Sequence, residues 1–196
     1  MDGSFLSPTL APDGRRLFSH ADMARMVEAG LIGPDERWEL IRGEWYAMPS
    51  EGFAHMDLRS RLCQFVSARL GFPSPFRVSS EGSILLGPDT EVRPDLAIYR
   101  ADVGTNAMSG DDLLLVVEIM KSSRVRDLER KRPVYAAAGV AEAWFIDMDA
   151  DTLLVCRDPD RAAEVYRTQV LFGPDEAVSP LRFAGVNLSL NGVRQG

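Results

Sequence analysis

The stretch "LLLVVEIM", residues 113–120, runs five apolar residues into Glu118 before closing with Ile119 and Met120. A continuous apolar run of this length, bounded by polar segments, reads as a strand buried on both faces, which requires a sheet with cover on each side. A carboxylate inside such a run must meet a cation, because an unpartnered one would be expensive to bury or would take up a proton. The stretch therefore sets two demands: a layered fold, and something cationic opposite Glu118.

The flanking segments supply the rest of the layers. Residues 1–18, rich in Pro and Gly without periodicity, read as a loosely held arm ahead of one domain over residues 19–196. "SHADMARMVEAG" reads as a helix with a Ser19/Asp22 capping box and Gly30 at its stop, and "RWELIRGEWYAMP" as a hairpin turning at Arg42-Gly43. "FAHMDLRSRLCQFVSARLG" has Leu58, Leu62, Phe65 and Val66 at helical spacing, with His55 on the same face. "FRVSSEGSILL", "EVRPDLAIYR" and "LLLVVEIM" read as three successive strands. "DLERKRPVYAAAG" is a second core helix with Pro133 near its first turn, and "AEAWFIDMD" a further strand. "TLLVCR" and "EVYRTQVLF" continue as a meander. The expected fold is α/β (α+β): a mixed β-sheet flanked by helices, with an N-terminal helix plus hairpin and a C-terminal meander. Trp38, Trp45 and Trp144 read as core, and Glu39 as a hairpin residue.

Bulk properties exclude several classes. At 196 residues and 45% hydrophobic content the chain can bury one substantial core. No basic leader and no bilayer-length apolar run is visible, so the expectation is a soluble cytoplasmic protein without membrane contact. Cys63 and Cys156 are far apart and in no metal-ligand spacing, which suits core thiols. The formal charge of -7 repels phosphate at long range, so contact with nucleic acid must be local. One candidate is the basic island Lys121, Arg124, Arg126, Arg130, Lys131 and Arg132, six positive charges against the two negative ones of Asp127 and Glu129; taken alone, such a run is most simply a solvated helix face.

Asp95 follows Pro94 inside one strand-like run, and Glu118 lies in the next. If the two strands are neighbours, their carboxylates converge at one end of the sheet, where oxygen ligands suit a hard divalent cation. Phosphodiester hydrolysis uses such an ion together with a nearby cationic side chain that offsets charge in the transition state.

Pro94-Asp95 and Glu118, within the order helix, three strands, helix, strand, resemble the PD-(D/E)xK nuclease superfamily. More narrowly, "RWELIRGEW", "GFAH", "VRPDLAIY", "LLVVEIMKSS", "RDLERKRPVYAAAGVAEAWFID" and "LLVCR" resemble the Uma-two family of restriction-type endonucleases, over about residues 18 to 190. The resemblance implies a restriction-endonuclease-like fold and a catalytic set of Asp95, Glu118, Lys131, Glu81 and His55. It implies magnesium, or manganese, held by Asp95, Glu118 and the carbonyl of Ile119. In the general superfamily pattern a lysine stands two residues after the glutamate, but here that place is Met120. In the Uma-two pattern the lysine comes from the following helix, at the position of Lys131. Lys121 stays open as an alternative: in a regular strand it faces the other way, but a bulge at Met120 would turn it inward. The family's Ser-Pro-Ser run after the glutamate strand is here Lys121, Ser122 and Ser123. Glu81 matches an acidic family position, against the simpler role of a strand residue paired with an arginine. His55 matches a family histidine, against that of a hydrogen-bonded core residue.

The function expected from this resemblance is metal-dependent endonucleolytic cleavage, with DNA the expected substrate. Lys121, Arg124, Arg126, Arg130 and Arg132 would contact phosphates, and the resemblance suggests a homodimer joined through the terminal strands "TLLVCR" and "EVYRTQVLF". The rival reading is a catalytically inactive nuclease-fold module that binds nucleic acid or a protein partner.

Overall fold

The computed structural model describes residues 9–33, 35–48, 50–103, 108–121, 127–183 and 185–195. Its main body is a six-stranded mixed sheet in the order β12-β11-β10-β9-β8-β5. The strands are β5 (Phe76–Ser79), β8 (Leu96–Arg100), β9 (Leu113–Met120), β10 (Glu142–Asp147), β11 (Thr152–Asp160) and β12 (Val165–Phe172). Only β9 and β10 pair in parallel; every other pair in this sheet is antiparallel. All eight residues of β9 are buried, as its apolar run requires.

Alternation along β9 sends its side chains into two cores. Leu115, Val117 and Ile119 face Leu58, Leu62 and Val66 of helix α2 (Phe53–Leu70). The same core takes in Val178, Phe183 and Val186 and reaches Leu190 and Val193 of helix α4 (Leu190–Gln195). Val116 and Met120 face Val134, Tyr135 and Ala136 of helix α3 (Arg132–Ala138) and Ile41, Ile84 and Val92 of a second sheet. That second sheet has four strands in the order β4-β3-β7-β6: β3 (Trp38–Ile41), β4 (Glu44–Ala47), β6 (Ile84–Gly87) and β7 (Thr90–Val92).

Two segments that read as single strands are each divided between the sheets. "FRVSSEGSILL" breaks between β5 and β6, with Glu81 at φ +55°. "EVRPDLAIYR" breaks between β7 and β8 at Arg93-Pro94-Asp95, where Pro94 has no N–H to continue a ladder. The first break carries the chain from the large sheet to the small one, and the second returns it immediately before Asp95.

The expected N-terminal helix is α1 (His20–Glu28), with the Ser19/Asp22 capping box formed in both directions. Ahead of it, residues read as an arm include a short antiparallel ladder of β1 (Thr9–Leu10) and β2 (Arg16–Leu17). The β3–β4 hairpin turns on Arg42 and Gly43, both at positive φ, the two-residue geometry that matches strand twist. A Cβ at Gly43 would stand 2.7 Å from that of Leu17, so glycine also admits β2. Pro133 lies in the first turn of α3, behind a π-helical turn over Asp127–Lys131. Such turns often lie at functional sites, and a proline cannot bond to the preceding turn. Helix α4 carries no strong sequence signal and was not expected. Trp144 is core, whereas Trp38 and Trp45 are only half-buried and meet edge to face with centroids 5.8 Å apart. Among the described residues, no helix is long and apolar enough to cross a membrane.

Candidate active site

The register of β8 against β9 pairs Leu96 with Val117, so the next residues outward, Asp95 and Glu118, oppose each other at the end of the ladder. Asp95 Oδ2 accepts the Ile119 N–H at 2.7 Å, which fixes the carboxylate and leaves Oδ1 toward α2. His55, in the first turn of α2, stands with Nε2 3.5 Å from Asp95 Oδ1 and donates through Nε2 to the Ile119 carbonyl at 2.8 Å. Its Nδ1 lies 3.6 Å from Glu51 Oε2 and makes no hydrogen bond. Glu51, His55 and Asp95 can each turn one ligand atom to within 4.8 Å of the others. Burial works against a charged His55, but Asp95, the Ile119 carbonyl and Glu51 outweigh it and raise its pKa.

On the other face of β9, Glu118 points toward α3. Lys131 Nζ lies 3.1 Å from both Glu118 oxygens, 2.8 Å from Glu39 Oε1 and 3.5 Å from Asp127 Oδ1. The Tyr135 hydroxyl also donates to Glu118. The Lys131 side chain is 2% exposed and its three carboxylate neighbours are equally buried, so three potential negative charges share one permanent positive one. Burial, followed by Asp127, Asp95 and Glu39, outweighs Lys131 and raises the Glu118 pKa well above the carboxylate range. For Lys131 burial acts downward, but Glu118, Glu39 and Asp127 prevail and keep it charged. The cationic partner that the sequence demanded for Glu118 is therefore Lys131, presented by the π-helical turn.

One cavity joins the two faces; its wall includes Glu51, His55, Arg93, Asp95, Glu118 and Lys131. Lys121, exposed and just past β9, lines it too. Glu81 stands behind the cavity, 2.9 Å from Arg37 and 2.5 Å from Arg59. Burial raises its pKa, but a hydrogen bond with Glu51 and the two arginines bring it down to about 2. Arg59 also bonds Glu51 at 2.5 Å and comes within 3.7 Å of Asp95. Two of the expected phosphate contacts lie elsewhere. Arg130 stacks on Tyr46 and pairs with Glu44, and Arg132 donates to Gln169, so neither lines the cavity. Arg124 and Arg126 lie outside the described residues.

Sequence reasoning missed Glu51, Arg59, Glu39, Asp127, Tyr135 and Arg93. A signal existed for most of them. Glu51, His55 and Arg59 are spaced by four, as are Asp127, Lys131 and Tyr135, a spacing that brings side chains together along a helix or, for Glu51, just ahead of one. Glu39 alternates with Trp38 and Leu40 and shares its face with buried Ile41; it accepts the Arg93 N–H at 2.8 Å as well as pairing with Lys131.

The model of the family described as "Putative restriction endonuclease", Uma2, matches residues 22–191. The chain belongs to the Uma2 family. No curated protein matches it. Among solved structures, this Uma2 chain is similar to one titled a putative nuclease belonging to DUF820, from Anabaena variabilis, with 18% identity and a TM-score of 0.70. That likeness covers 91% of this chain and 98% of the other, and shows a common fold. Membership supports a nuclease assignment for this Uma2 protein.

Proposed function

We propose that this Uma2 protein is a magnesium-dependent endonuclease that hydrolyses phosphodiester bonds in DNA. The observation that carries the reading is the opposition of Asp95 and Glu118 across the β8–β9 ladder, with Lys131 on Glu118. The donor set fits a divalent cation. His55 Nε2 donates to the Ile119 carbonyl and stands 3.5 Å from Asp95 Oδ1, so a hydrogen-bond donor already lies between two expected ligands. Asp95, Glu118 and the Ile119 carbonyl would hold magnesium through oxygen, with Glu51 in reach of the same centre. Recruitment of His55 as a ligand would favour manganese. The bound cation supplies Lewis-acid polarisation of the scissile phosphate.

The chain's own groups do the rest. Lys131 Nζ, held by Glu118, Glu39 and Asp127, orients the attacking water and offsets charge in the transition state. Tyr135 holds Glu118 to one rotamer, and Arg59 does the same for Glu51. Glu81 steadies Arg59 from behind, and Lys121 at the cavity mouth attracts a flanking phosphate.

Cutting both strands is simplest for a homodimer. Of the two strands expected at its contact, β11 lies inside the sheet, so only β12 is an edge, and it exposes Val170 and Leu171. We place this work in the cytoplasm. Magnesium titration against plasmid and single-stranded DNA tests the reading: nicked or linear product appearing with the ion supports it, and a shifted but intact DNA at every concentration favours a binding module.

A further inference from the structure

The cavity has several cationic side chains on its wall, and they differ in how far their donors are already used. Lys131 is enclosed by Glu39, Glu118 and Asp127, and His55 Nε2 is committed to the Ile119 carbonyl. Arg93 is different. Its Nε is buried with no hydrogen-bond partner, and the nearest carboxylate paired with its guanidinium, Glu91, is 3.9 Å away, beyond a good hydrogen bond. Such a donor is costly to leave unmade in a folded protein.

The backbone shows that this side chain is placed, not loose. The Arg93 N–H is pinned by Glu39 Oε1, the oxygen that also pairs with Lys131 Nζ. Pro94 follows, and a residue before proline is confined to extended backbone. Arg93 therefore leaves the chain from a fixed point two residues before Asp95, at the crossing between the two sheets, and it lines the same cavity as Asp95 and Glu118. It is about three-tenths exposed along its side chain, enough to meet a ligand from solvent. A planar guanidinium with open donors beside a site for phosphodiester chemistry matches two oxygens of one phosphate.

We propose that Arg93 is a catalytic residue that donates to the non-bridging oxygens of the scissile phosphate and steadies the charge gathered there in the transition state. The proposal rests on the nuclease reading of the site and names the contact that holds its substrate in place. It gives the Arg93-Pro94-Asp95 crossing a purpose: one tripeptide carries the phosphate contact and the carboxylate, on a backbone stiffened between them.

The test compares the full chain with Arg93→Ala and Arg93→Lys, first by thermal unfolding, then by single-turnover cleavage of a labelled DNA duplex with magnesium. It ends with binding of the same duplex in calcium across a salt series. Both variants should fold as the parent does, because the side chain makes no close ion pair. Arg93→Ala should cut more slowly by roughly a hundredfold or more at saturating DNA, the scale of losing one transition-state donor. Arg93→Lys should recover only part of that, having charge without the planar fork. In the binding series, Arg93→Ala should weaken the complex and flatten its salt dependence by about one phosphate contact. Cleavage by Arg93→Ala within threefold of the parent overturns the proposal while leaving the nuclease reading intact. A parent chain that binds DNA through Arg93 yet never cuts it overturns the nuclease reading, and with it the catalytic role of Arg93.

Discussion

Replacing Lys131 by methionine removes the one permanent cation from a buried group of three carboxylates, Glu39, Glu118 and Asp127. In the intact protein burial and the neighbouring carboxylates raise the Glu118 pKa, and Lys131 opposes them. Without Lys131 a carboxylate of this group must hold a proton in the folded state. A glutamate has an ordinary value of 4.5 when unfolded, so forcing it to stay protonated costs about 1.4 kcal/mol for each pH unit above that. The limit at pH 8 is about 5 kcal/mol, in line with the 3–5 kcal/mol lost when a buried ion pair is broken from one side. The sign follows from the direction of the shift: a carboxyl whose folded pKa lies above its unfolded value loses stability as pH rises through that window. Urea unfolding of Lys131→Met should thus show a deficit of about 3–5 kcal/mol at pH 8 that shrinks to about 1 kcal/mol at pH 5. A deficit under 1 kcal/mol at pH 8, or one that does not change with pH, would refute the reasoning. Turnover of this variant is informative only where it is folded, and there it should be down by roughly a hundredfold or more.

Gly110 is buried, and a Cβ there would stand 2.2 Å from the Ala138 carbonyl oxygen at the end of α3. Gly110→Ala should therefore lower stability by about 1–3 kcal/mol in thermal or urea unfolding, with little effect on metal binding. Asp22 completes the capping box of α1, and bonds to Ser19 hold its pKa down at about 2, with Arg25 adding to the effect. Because the folded pKa is depressed, its contribution is present above pH 3.8 and fades as pH falls through 2. Asp22→Ala should cost about 1 kcal/mol at pH 7, with the difference from the parent shrinking as pH falls through 2.

Much of this architecture is legible in the chain because short-range chemistry sets it. The apolar run of β9 requires cover on both faces, and the structure supplies α2 on one side and α3 with the second sheet on the other. The Ser19 cap and the Arg42-Gly43 turn are local and appear as read. The division of "EVRPDLAIYR" between two sheets was less visible. Pro94 marks a break, but local pattern does not say that the residues before it pair with β3 and β6 while those after it pair with β5 and β9. In the site, Asp95, Glu118, Lys131 and His55 could be named through family resemblance, and the structure brings them to one cavity. Glu39 could not, because its partner Lys131 is far along the chain and a carboxylate in a hairpin is ordinarily a surface residue. Arg130 and Arg132 were expected to contact phosphates under the family resemblance, but their neighbours Tyr46, Glu44 and Gln169 are set by tertiary packing.

The most direct test of the account is single-turnover cleavage of an end-labelled DNA duplex at saturating magnesium by the parent chain and by Asp95→Asn. The substitution keeps an acceptor for the Ile119 N–H while removing the charge that faces Glu118. The account predicts magnesium-dependent cutting by the parent and a loss of roughly a hundredfold or more in the variant, with unfolding unchanged to within about 1 kcal/mol. Equal cutting by both chains would contradict it, as would a folded parent that leaves the duplex whole at every magnesium concentration.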